Sequence, residues 1–401
     1  MSLLDGIINI ADALKKVDGQ EVIMRLDLNA SEGSSRRLEA ALPTLKLVHE
    51  TAKKIVIVTH LSREKDEINR SNAYIAEALS DMLSVDVKSS LYLQDASGPD
   101  KGIHLLQNIR KRRFGGELDS VGTDRRLGIE KHLKLLGAVY VNDAFGVLHR
   151  DHASVSLGKM YEDGSKFVGP LVKNELETLS PYLTPERLGK TTLVMGGSKV
   201  SDKAPVIKNL IESGCREICI GGGMVATFLK AQGFNVGASA FQDRALVKTA
   251  TEIIKLAEQK GVRLIIPTDV IVAKNISGDG ARKVNLANSE SIGSDEMIFD
   301  IGSDSAKHIA ETITMCDDRH VVVNGAMGVF ENKNFQEGTA IVWEAVASKP
   351  EGTAIMAGGD SGKAFDVLNI DQNKAYVSTG GGATLAVLAG KKLPGLEGLR
   401  A

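Results

Sequence analysis

The sequence is short of the residues that staple, break or anchor a chain. Cysteine occurs three times in 401 residues, at Cys215, Cys219 and Cys316. The number is odd and no two are spaced CxxC, which excludes a disulfide framework and leaves a poor zinc site. These thiols read as structural groups of a reducing compartment. Proline is scarce too, 9 residues with no low-complexity run around them, so disorder is not signalled. Neither sign of charge dominates: 49 Lys+Arg against 51 Asp+Glu leave a formal net of −2. That balance argues against a generally cationic nucleic-acid binder, while leaving room for a local basic cleft. Nowhere do 18 apolar residues run together, so no membrane span is expected. The opening MSLLDGIINIADALKK carries acids in its apolar stretch and no small-residue cleavage site, unlike a secretory signal. A cytoplasmic location is expected. Two nucleotide fingerprints are missing as well. GGDSGKA imitates a P-loop, but Ala357 stands at the first glycine position and Ala364 follows the lysine. No GxGxxG follows a strand, which weighs against a nicotinamide dehydrogenase.

Glycine is what the chain has in excess, 41 residues against a usual ~7%. The length is too great for one core and predicts two domains of roughly 150–200 residues. Short β-branched runs alternate with amphipathic stretches: EVIMRLDL from Glu21, KIVIVTH from Lys54, AVYVNDA from Ala138, TTLVMGG from Thr191 and EICIGG from Glu217. They continue with RLIIPTDV from Arg263, HVVVNGA from His320, TAIMAGG from Thr353 and KAYVSTGG from Lys374. Continuous apolarity means burial on both faces, as in a parallel sheet covered by helices. Helical spacing fills the gaps, for example Val247, Ala250, Ile253, Ile254 and Ala257 before RLIIP. The pattern predicts an α/β fold of doubly wound parallel sheets. A junction is expected near residues 165–190, where PLVKNELETLSPYL offers one helix before Pro181 and TPERLGK break it.

Five strands of the second half end in glycine: Gly196-Gly197, Gly221 to Gly223, Gly325 and Gly328, Gly358-Gly359, and Gly380 to Gly382. Ligands of open α/β sheets bind at such strand ends. Bare backbone there lets N–H groups approach phosphate oxygens, helped by the partial positive charge of the following helix. GGSKVSDKAPVIKNLI puts Lys199 after a strand and Lys203 at a helix entry, where cations oppose the macrodipole unless an anion relieves them. Lys203 therefore either cradles a phosphate or extends into solvent. Asp360, after Gly358-Gly359 and beside Ser361, suits Mg²⁺, which takes one or two carboxylates plus nucleotide oxygens; it can equally cap the helix. Glu331 either meets a ribose or is a solvated loop acid. In the first half, Asp27, Asn29, His60, Arg63, Arg110 and Arg150 follow apolar runs and Arg37 is the second residue of the helical string RRLEAALPTL. Arginines at strand mouths would form an anion site. His149 and His152 read as acid/base groups or as hydrogen bonders of a cleft wall, and KRR at Lys111 to Arg113 as a solvated surface.

From about Glu21 to Leu396 the chain resembles the phosphoglycerate kinase family. The resemblance rests on RLDLN, RRLEAALPTL, THLSR, YVNDAFGVLHRDHAS, GGSKVSDK, GGGMVATFLKAQG, VNGAMGVFE, the GGDS at Gly358 and STGGGATL. It implies two Rossmann-like domains joined by a hinge helix. Residues 1–170 would bind the phosphoglycerate, 171–187 form the hinge helix, 188–385 bind Mg-nucleotide, and 386–401 return toward the first domain. It also implies reversible phosphoryl transfer between 1,3-bisphosphoglycerate with ADP and 3-phosphoglycerate with ATP. Small molecules would be the partners, not nucleic acid or membrane, and the protein would be a monomer. Carried over, the phosphoglycerate site is Asp27, Asn29, Arg37, His60, Arg63, Arg110 and Arg150. The nucleotide site is Gly197, Lys199, Lys203, Gly222, Gly223, Asn324, Val329, Glu331, Gly358, Gly359, Asp360 and Ser361, with Mg²⁺ on Asp360. Arg37, Lys199, Lys203 and the N–H groups of Gly380 to Gly382, Gly381 above all, would surround the moving phosphoryl group. The chain departs from the family pattern at Ser62, Glu64, Gln107, Lys111, Asn174, Val323, Ala326 and Ala386. Ala326 bears on the base pocket, and Asn174 and Ala386 on hinge and interdomain contacts. A weakly catalytic nucleotide- or phosphoglycerate-binding regulator on the same fold is the alternative.

Overall fold

The apolar runs become strands because both of their faces are covered. Every residue of Lys54–Val58, Val139–Asp143 and Thr191–Met195 is buried, as in the central strands of a helix-covered parallel sheet. The computed structural model describes residues 3–29, 36–61, 71–90, 102–109, 112–113, 116–117, 123–197, 200–240, 243–288, 290–315, 320–372 and 375–400. The chain divides into two compact units, Met1–Ser180 with Lys392–Ala401, and Pro181–Lys391.

In chain order the first unit holds β1 (Glu21–Leu26), α1 (Arg36–His49), β2 (Lys54–Val58), α2 (Ala73–Leu83), β3 (Val87–Ser90) and β4 (Gly102–Leu106). Then come the two-residue strands β5 (Arg112–Arg113) and β6 (Gly116–Glu117), α3 (Thr123–Lys134), β7 (Val139–Asp143), β8 (Lys166–Val168) and α4 (Pro170–Leu179). Six strands make one parallel sheet in the order β3-β4-β2-β1-β7-β8, and β5 pairs antiparallel with β6. The order reverses between β1 and β7, the place where open α/β sheets hold ligands. Helix α1 buries Leu38, Ala41, Leu45 and Val48, the spacing of one helical face. Helix α4 buries Val172, Leu176 and Leu179. It stops there because Pro181 has no N–H to give the Glu177 carbonyl, while the Leu176 carbonyl accepts both the N–H and, at 2.7 Å, the hydroxyl of Ser180. A single 3₁₀ turn, Ser180–Leu183, follows.

The second unit continues with α5 (Pro185–Leu188), β9 (Thr191–Met195), α6 (Val200–Glu212), β10 (Glu217–Ile220), α7 (Met224–Ala231), α8 (Arg244–Lys260) and β11 (Arg263–Ile265). After these come β12 (Asp269–Ala273), β13 (Arg282–Asn285), β14 (Met297–Ile301), α9 (Ser303–Thr314), β15 (His320–Asn324) and α10 (Glu337–Ala347). Last are β16 (Ala354–Ala357), α11 (Gly359–Leu368), β17 (Tyr376–Ser378) and α12 (Gly381–Leu388). A second six-stranded parallel sheet runs β11-β10-β9-β15-β16-β17, so its order reverses between β9 and β15. Helices α6, α7, α8 and α12 pack as one group, and α9, α10 and α11 as another. Local signals bound α8 well: Asp243 accepts the N–H groups of Ala245 and Leu246, and Gly261 ends the helix at φ +67°, a left-handed conformation that glycine adopts without strain.

One expectation needs correction. RLIIPTDV is two strands rather than one, β11 in the parallel sheet and β12 in a separate antiparallel sheet of order β13-β12-β14. Pro267 falls between them and cannot donate to a ladder. The last ten residues belong to the first unit. There α13 (Pro394–Glu397) presents Gly395, whose N–H donates to the Leu148 carbonyl at 3.0 Å. Lys166 Nζ donates to the Arg400 carbonyl at 2.7 Å, and the Arg400 guanidinium donates to the carbonyls of Leu3 and Asp5.

Candidate functional site

At the β1/β7 crevice of the first unit, the strand ends bring together charged side chains. Arg37, in the first turn of α1, donates from Nη1 to Asp27 Oδ1 at 2.8 Å, and the Asn29 N–H reaches the same oxygen at 3.4 Å. His60 follows β2 with Nδ1 3.9 Å from that oxygen. A residue not anticipated from sequence organises this corner. Arg25, fully buried within β1, donates from Nε to Ser154 Oγ at 3.0 Å, from Nη1 to the carbonyls of Leu26 and Val58, and from Nη2 to His60 Nδ1 at 3.1 Å. A guanidinium has no acceptor, so Nδ1 accepts and the imidazole proton lies on Nε2. The His60–Asp27 approach is thus a polar contact and not an ion pair. Arg150 lies half-buried beyond β7, its backbone N–H bonded to the Val147 carbonyl at 2.9 Å. Arg63 and Arg110, with the departures Ser62, Glu64 and Lys111, lie outside the described residues.

The β9/β15 crevice is made differently. Lys203, in the second turn of α6, is only 8% exposed, and its ammonium donates to the carbonyls of Gly196 and of Asn324, the latter at 2.6 Å. It does not extend into solvent. Around it three strand-end loops interlock through backbone. Gly196 N–H donates to the Asn324 carbonyl and Gly197 N–H to the Ala326 carbonyl, both at 3.0 Å, while Gly222 N–H donates to the Met327 carbonyl at 2.8 Å. A Cβ on Gly196 would run into the Ala326 and Gly325 carbonyls, and one on Gly222 into the Gly197 backbone. Several of the clustered glycines are therefore needed for close loop packing, beside any role toward a ligand. Gly197, Gly222 and Gly325 also hold positive φ of +88°, +62° and +89°. Gly223 precedes α7 as its N-cap. Lys199 lies outside the described residues.

Farther along the sheet, Asn324 Nδ2 donates to the Ala357 carbonyl at 3.0 Å. Gly358 (φ +99°) and Gly381 pack so closely that a Cβ on Gly381 would lie 2.8 Å from the Gly358 Cα. The structure thus gathers Asn324, Gly358 and Gly381. The first N–H groups of α11, which begins at Gly359 and Asp360, and of α12, which begins at Gly381 and Gly382, have no intrahelical acceptor and face the strand-end side. Ser361 is inside: its hydroxyl donates to the Ala357 carbonyl and accepts the Gly325 N–H, both at 3.0 Å, and its carbonyl accepts Trp343 Nε1–H. Val329 is half-buried with its N–H on the Phe299 carbonyl at 3.0 Å. Glu331 is exposed, 3.6 Å from Lys363 Nζ. Among the departures, Val323 and Ala326 are buried, and Ala386 is half-buried on α12.

Two buried acids also escaped the sequence reading. Asp143, ending β7, accepts the Thr44 hydroxyl from α1 and the Val172 N–H from α4 at 2.9 Å. Burial pushes its carboxyl up to about 6, against these hydrogen bonds. Asp300, in β14, accepts the N–H groups of Gly338 at 2.8 Å and Ile301 at 2.9 Å, and burial pushes it up to about 8. The available signal was an acid closing or interrupting an apolar run, as in VYVND and MIFDI; Arg25 in EVIMRL is the cationic equivalent.

A family model described as phosphoglycerate kinase matches residues 10–391. A phosphoglycerate kinase of Bifidobacterium longum (strain DJO10A) is 38% identical over 403 residues, covering 96% of this chain and 98% of its own. One of Enterococcus faecalis is 37% identical, with the same coverage of 96% and 98%. The solved structure of phosphoglycerate kinase from Coxiella burnetii matches with a TM-score of 0.77 at 32% identity, over 96% of this chain and 97% of that one. That from Pyrococcus horikoshii OT3 matches at 0.82 and 26% identity, over 98% of each.

Proposed function

The chain belongs to the phosphoglycerate kinase family, and on that premise we propose that it catalyses reversible transfer of the acyl phosphate of 1,3-bisphosphoglycerate to Mg-ADP. The reverse reaction consumes 3-phosphoglycerate and Mg-ATP. The observation that carries this reading is the buried Lys203 ammonium at the β9/β15 reversal, held by two backbone carbonyls amid the strand-end glycines. It sets a positive charge beside backbone kept bare by glycine, where phosphate oxygens would be received.

An ADP oxygen is already a competent nucleophile, so no protein nucleophile or general base is required; positioning and charge stabilisation suffice. Asp27, Asn29, Arg37, His60, Arg63, Arg110 and Arg150 hold the phosphoglycerate. Arg37, Lys199, Lys203 and the Gly381 N–H steady the transferring oxygens. Asn324, Val329, Glu331 and the glycines Gly197, Gly222, Gly223, Gly358 and Gly359 line the nucleotide, with Ser361 fixing the loop behind them. Asp360 holds Mg²⁺: it opens a helix at a strand end, and a Cβ added to its neighbour Gly359 would meet no atom within 4 Å, leaving room for a ligand. When bound, the ion offsets charge on the nucleotide phosphates. Small-molecule partners, a monomeric state and a cytoplasmic location complete the proposal.

The test is ATP consumption with 3-phosphoglycerate, coupled to reduction of the product by a dehydrogenase. Steady turnover that requires both substrates and Mg²⁺ is expected. Tight binding of both ligands without turnover would overturn the catalytic reading and leave a binding protein in its place.

A further inference from the structure

The segment that carries Arg150 is fastened at several points. Leu148 is held through its carbonyl by Gly395 of the tail, and Ser154 is held from the core, its hydroxyl by Arg25 and its carbonyl by the Tyr140 hydroxyl at 2.8 Å. The residue next to Arg150 is held from outside by a helix that no motif singled out. Arg126 on α3 donates from Nη1 to the Asp151 carbonyl at 3.2 Å and from Nη2 to Asp151 Oδ1 at 2.6 Å, and Nη2 also meets Ser156 Oγ. Its Nε donates to Glu130 Oε1 at 3.0 Å, one helical turn on. Glu130 is itself buried and takes Lys159 Nζ at 3.1 Å.

We propose that Arg126 is a positioning residue for phosphoglycerate binding: its guanidinium spans Asp151 and Ser156 and thereby fixes the turn from which Arg150 projects. The inference rests on the role given to Arg150 under the proposed function.

The physical case is one of geometry. A planar guanidinium offers donors in a fixed fork, and this one spends them on a backbone carbonyl, a carboxylate and a hydroxyl of a single turn, with Glu130 setting its own orientation. The side chain of Arg126 is 15% exposed and its partners Glu130 and Ser156 are buried, so those two bonds are shielded better than surface pairs, which contribute little. The Arg126 hydrogen bond also holds the Asp151 carboxyl below the usual carboxylate range. Residue 151 adjoins Arg150 directly, so a turn allowed to drift misplaces the Arg150 guanidinium, and small displacements of a positioning group are expensive.

The experiment measures steady-state kinetics of the full chain with 3-phosphoglycerate and Mg-ATP. An inactive parent protein defeats the proposed function, whereas the outcomes below concern Arg126 in an active one. R126M is expected to raise KM for 3-phosphoglycerate about tenfold while KM for Mg-ATP and kcat stay within about threefold. R126K, which keeps the charge and loses the fork, is expected to follow R126M. K159A removes the Lys159–Glu130 pair while leaving the Arg126 bonds to Asp151 and Ser156 in place, and is expected to shift Tm without moving either KM. Should R126M fail to fold, D151A decides, because that side chain is 67% exposed and its removal takes away one acceptor of the fork; it is expected to raise the 3-phosphoglycerate KM about threefold. Unchanged KM in a folded R126M or D151A, an equal rise in the Mg-ATP KM, or a K159A that raises the 3-phosphoglycerate KM as much as R126M overturns the proposal.

Discussion

In the first unit the crevice between β1 and β7 is furnished by side chains, with Arg25 hydrogen-bonded to His60 and Arg37 to Asp27 at the strand ends. In the second, the crevice between β9 and β15 is furnished by backbone, with glycine loops interlocked around one lysine. The sheets share a reversal of strand order between the first strand and a later neighbour, yet the material differs. A small, shape-specific acid is well recognised by guanidinium and imidazole groups that can be individually aimed. A string of phosphates is better met by close backbone and helix N-termini, which Cβ atoms would obstruct. The comparison makes a distinction in vulnerability: the first crevice should fail through lost charge, the second also through one added methyl.

The largest effect is expected from Lys203→Ala. Losing an electrostatic donor at the reacting group costs on the order of 10²–10³ in kcat, and Arg37→Ala is expected to cost a similar factor from the other crevice. Coupled turnover assays check both, with circular dichroism confirming the fold. Near-native kcat in either variant removes that residue from the charge-stabilising set.

Gly222→Ala should separate the crevices next. The residue holds φ +62°, and its Cβ would meet the Gly197 backbone, so the methyl is expected to destabilise the protein by ~3 kcal/mol through conformational strain and overpacking. The counterpart is Asn29→Ala, which leaves the backbone free and is expected to stay within about 0.5 kcal/mol of the parent in stability while raising KM for 3-phosphoglycerate. Urea midpoints give the first quantity and kinetics the second. Equal midpoints for the two variants would remove the distinction between side-chain and backbone construction.

Much of this architecture was legible in the chain. Continuous runs such as KIVIV and TTLVM could only be doubly covered strands, and glycines after them marked the ligand side of the second sheet. What stayed hidden was tertiary. RLIIPTDV reads as one apolar run, and nothing local says that the residues after Pro267 join a different sheet. Lys203 left two readings open until α6 was seen to carry its ammonium back over Gly196 and Asn324. Arg25, Asp143 and Asp300 sit in runs whose pattern says only "strand"; their partners Ser154, Thr44 and Gly338 lie far along the chain. Arg126 has no motif at all, since its meaning depends on Asp151 and Ser156 across a strand and a turn.

The two buried acids sharpen the comparison in a last and smaller way. Each unit places a carboxyl raised by burial against the start of a helix, Asp143 at α4 and Asp300 at α10, and each lies where a Cβ on a neighbouring glycine, Gly169 or Gly328, would collide with it. Burial raises Asp143 to about 6 and Asp300 to about 8, from an ordinary value near 4 in the unfolded chain. The folded protein therefore binds the proton more tightly than the unfolded chain. Stability from each group is fullest below pH ~4 and falls as pH rises toward its folded value, by about 1.4 kcal/mol per pH unit for a fully titrating group. Asn cannot ionise but loses one acceptor, so Asp300→Asn is expected to be the less stable protein at pH 6 and to close on the parent steadily up to pH 8. Asp143→Asn is expected to close on the parent only below pH 6 and to run parallel to it from pH 6.5 upward. Urea denaturation at half-unit pH steps measures both slopes. If Asp300→Asn runs parallel to the parent between pH 6 and 8, the carboxyl is ionised throughout that range, and the second unit tolerates a buried charge beneath its glycine loop.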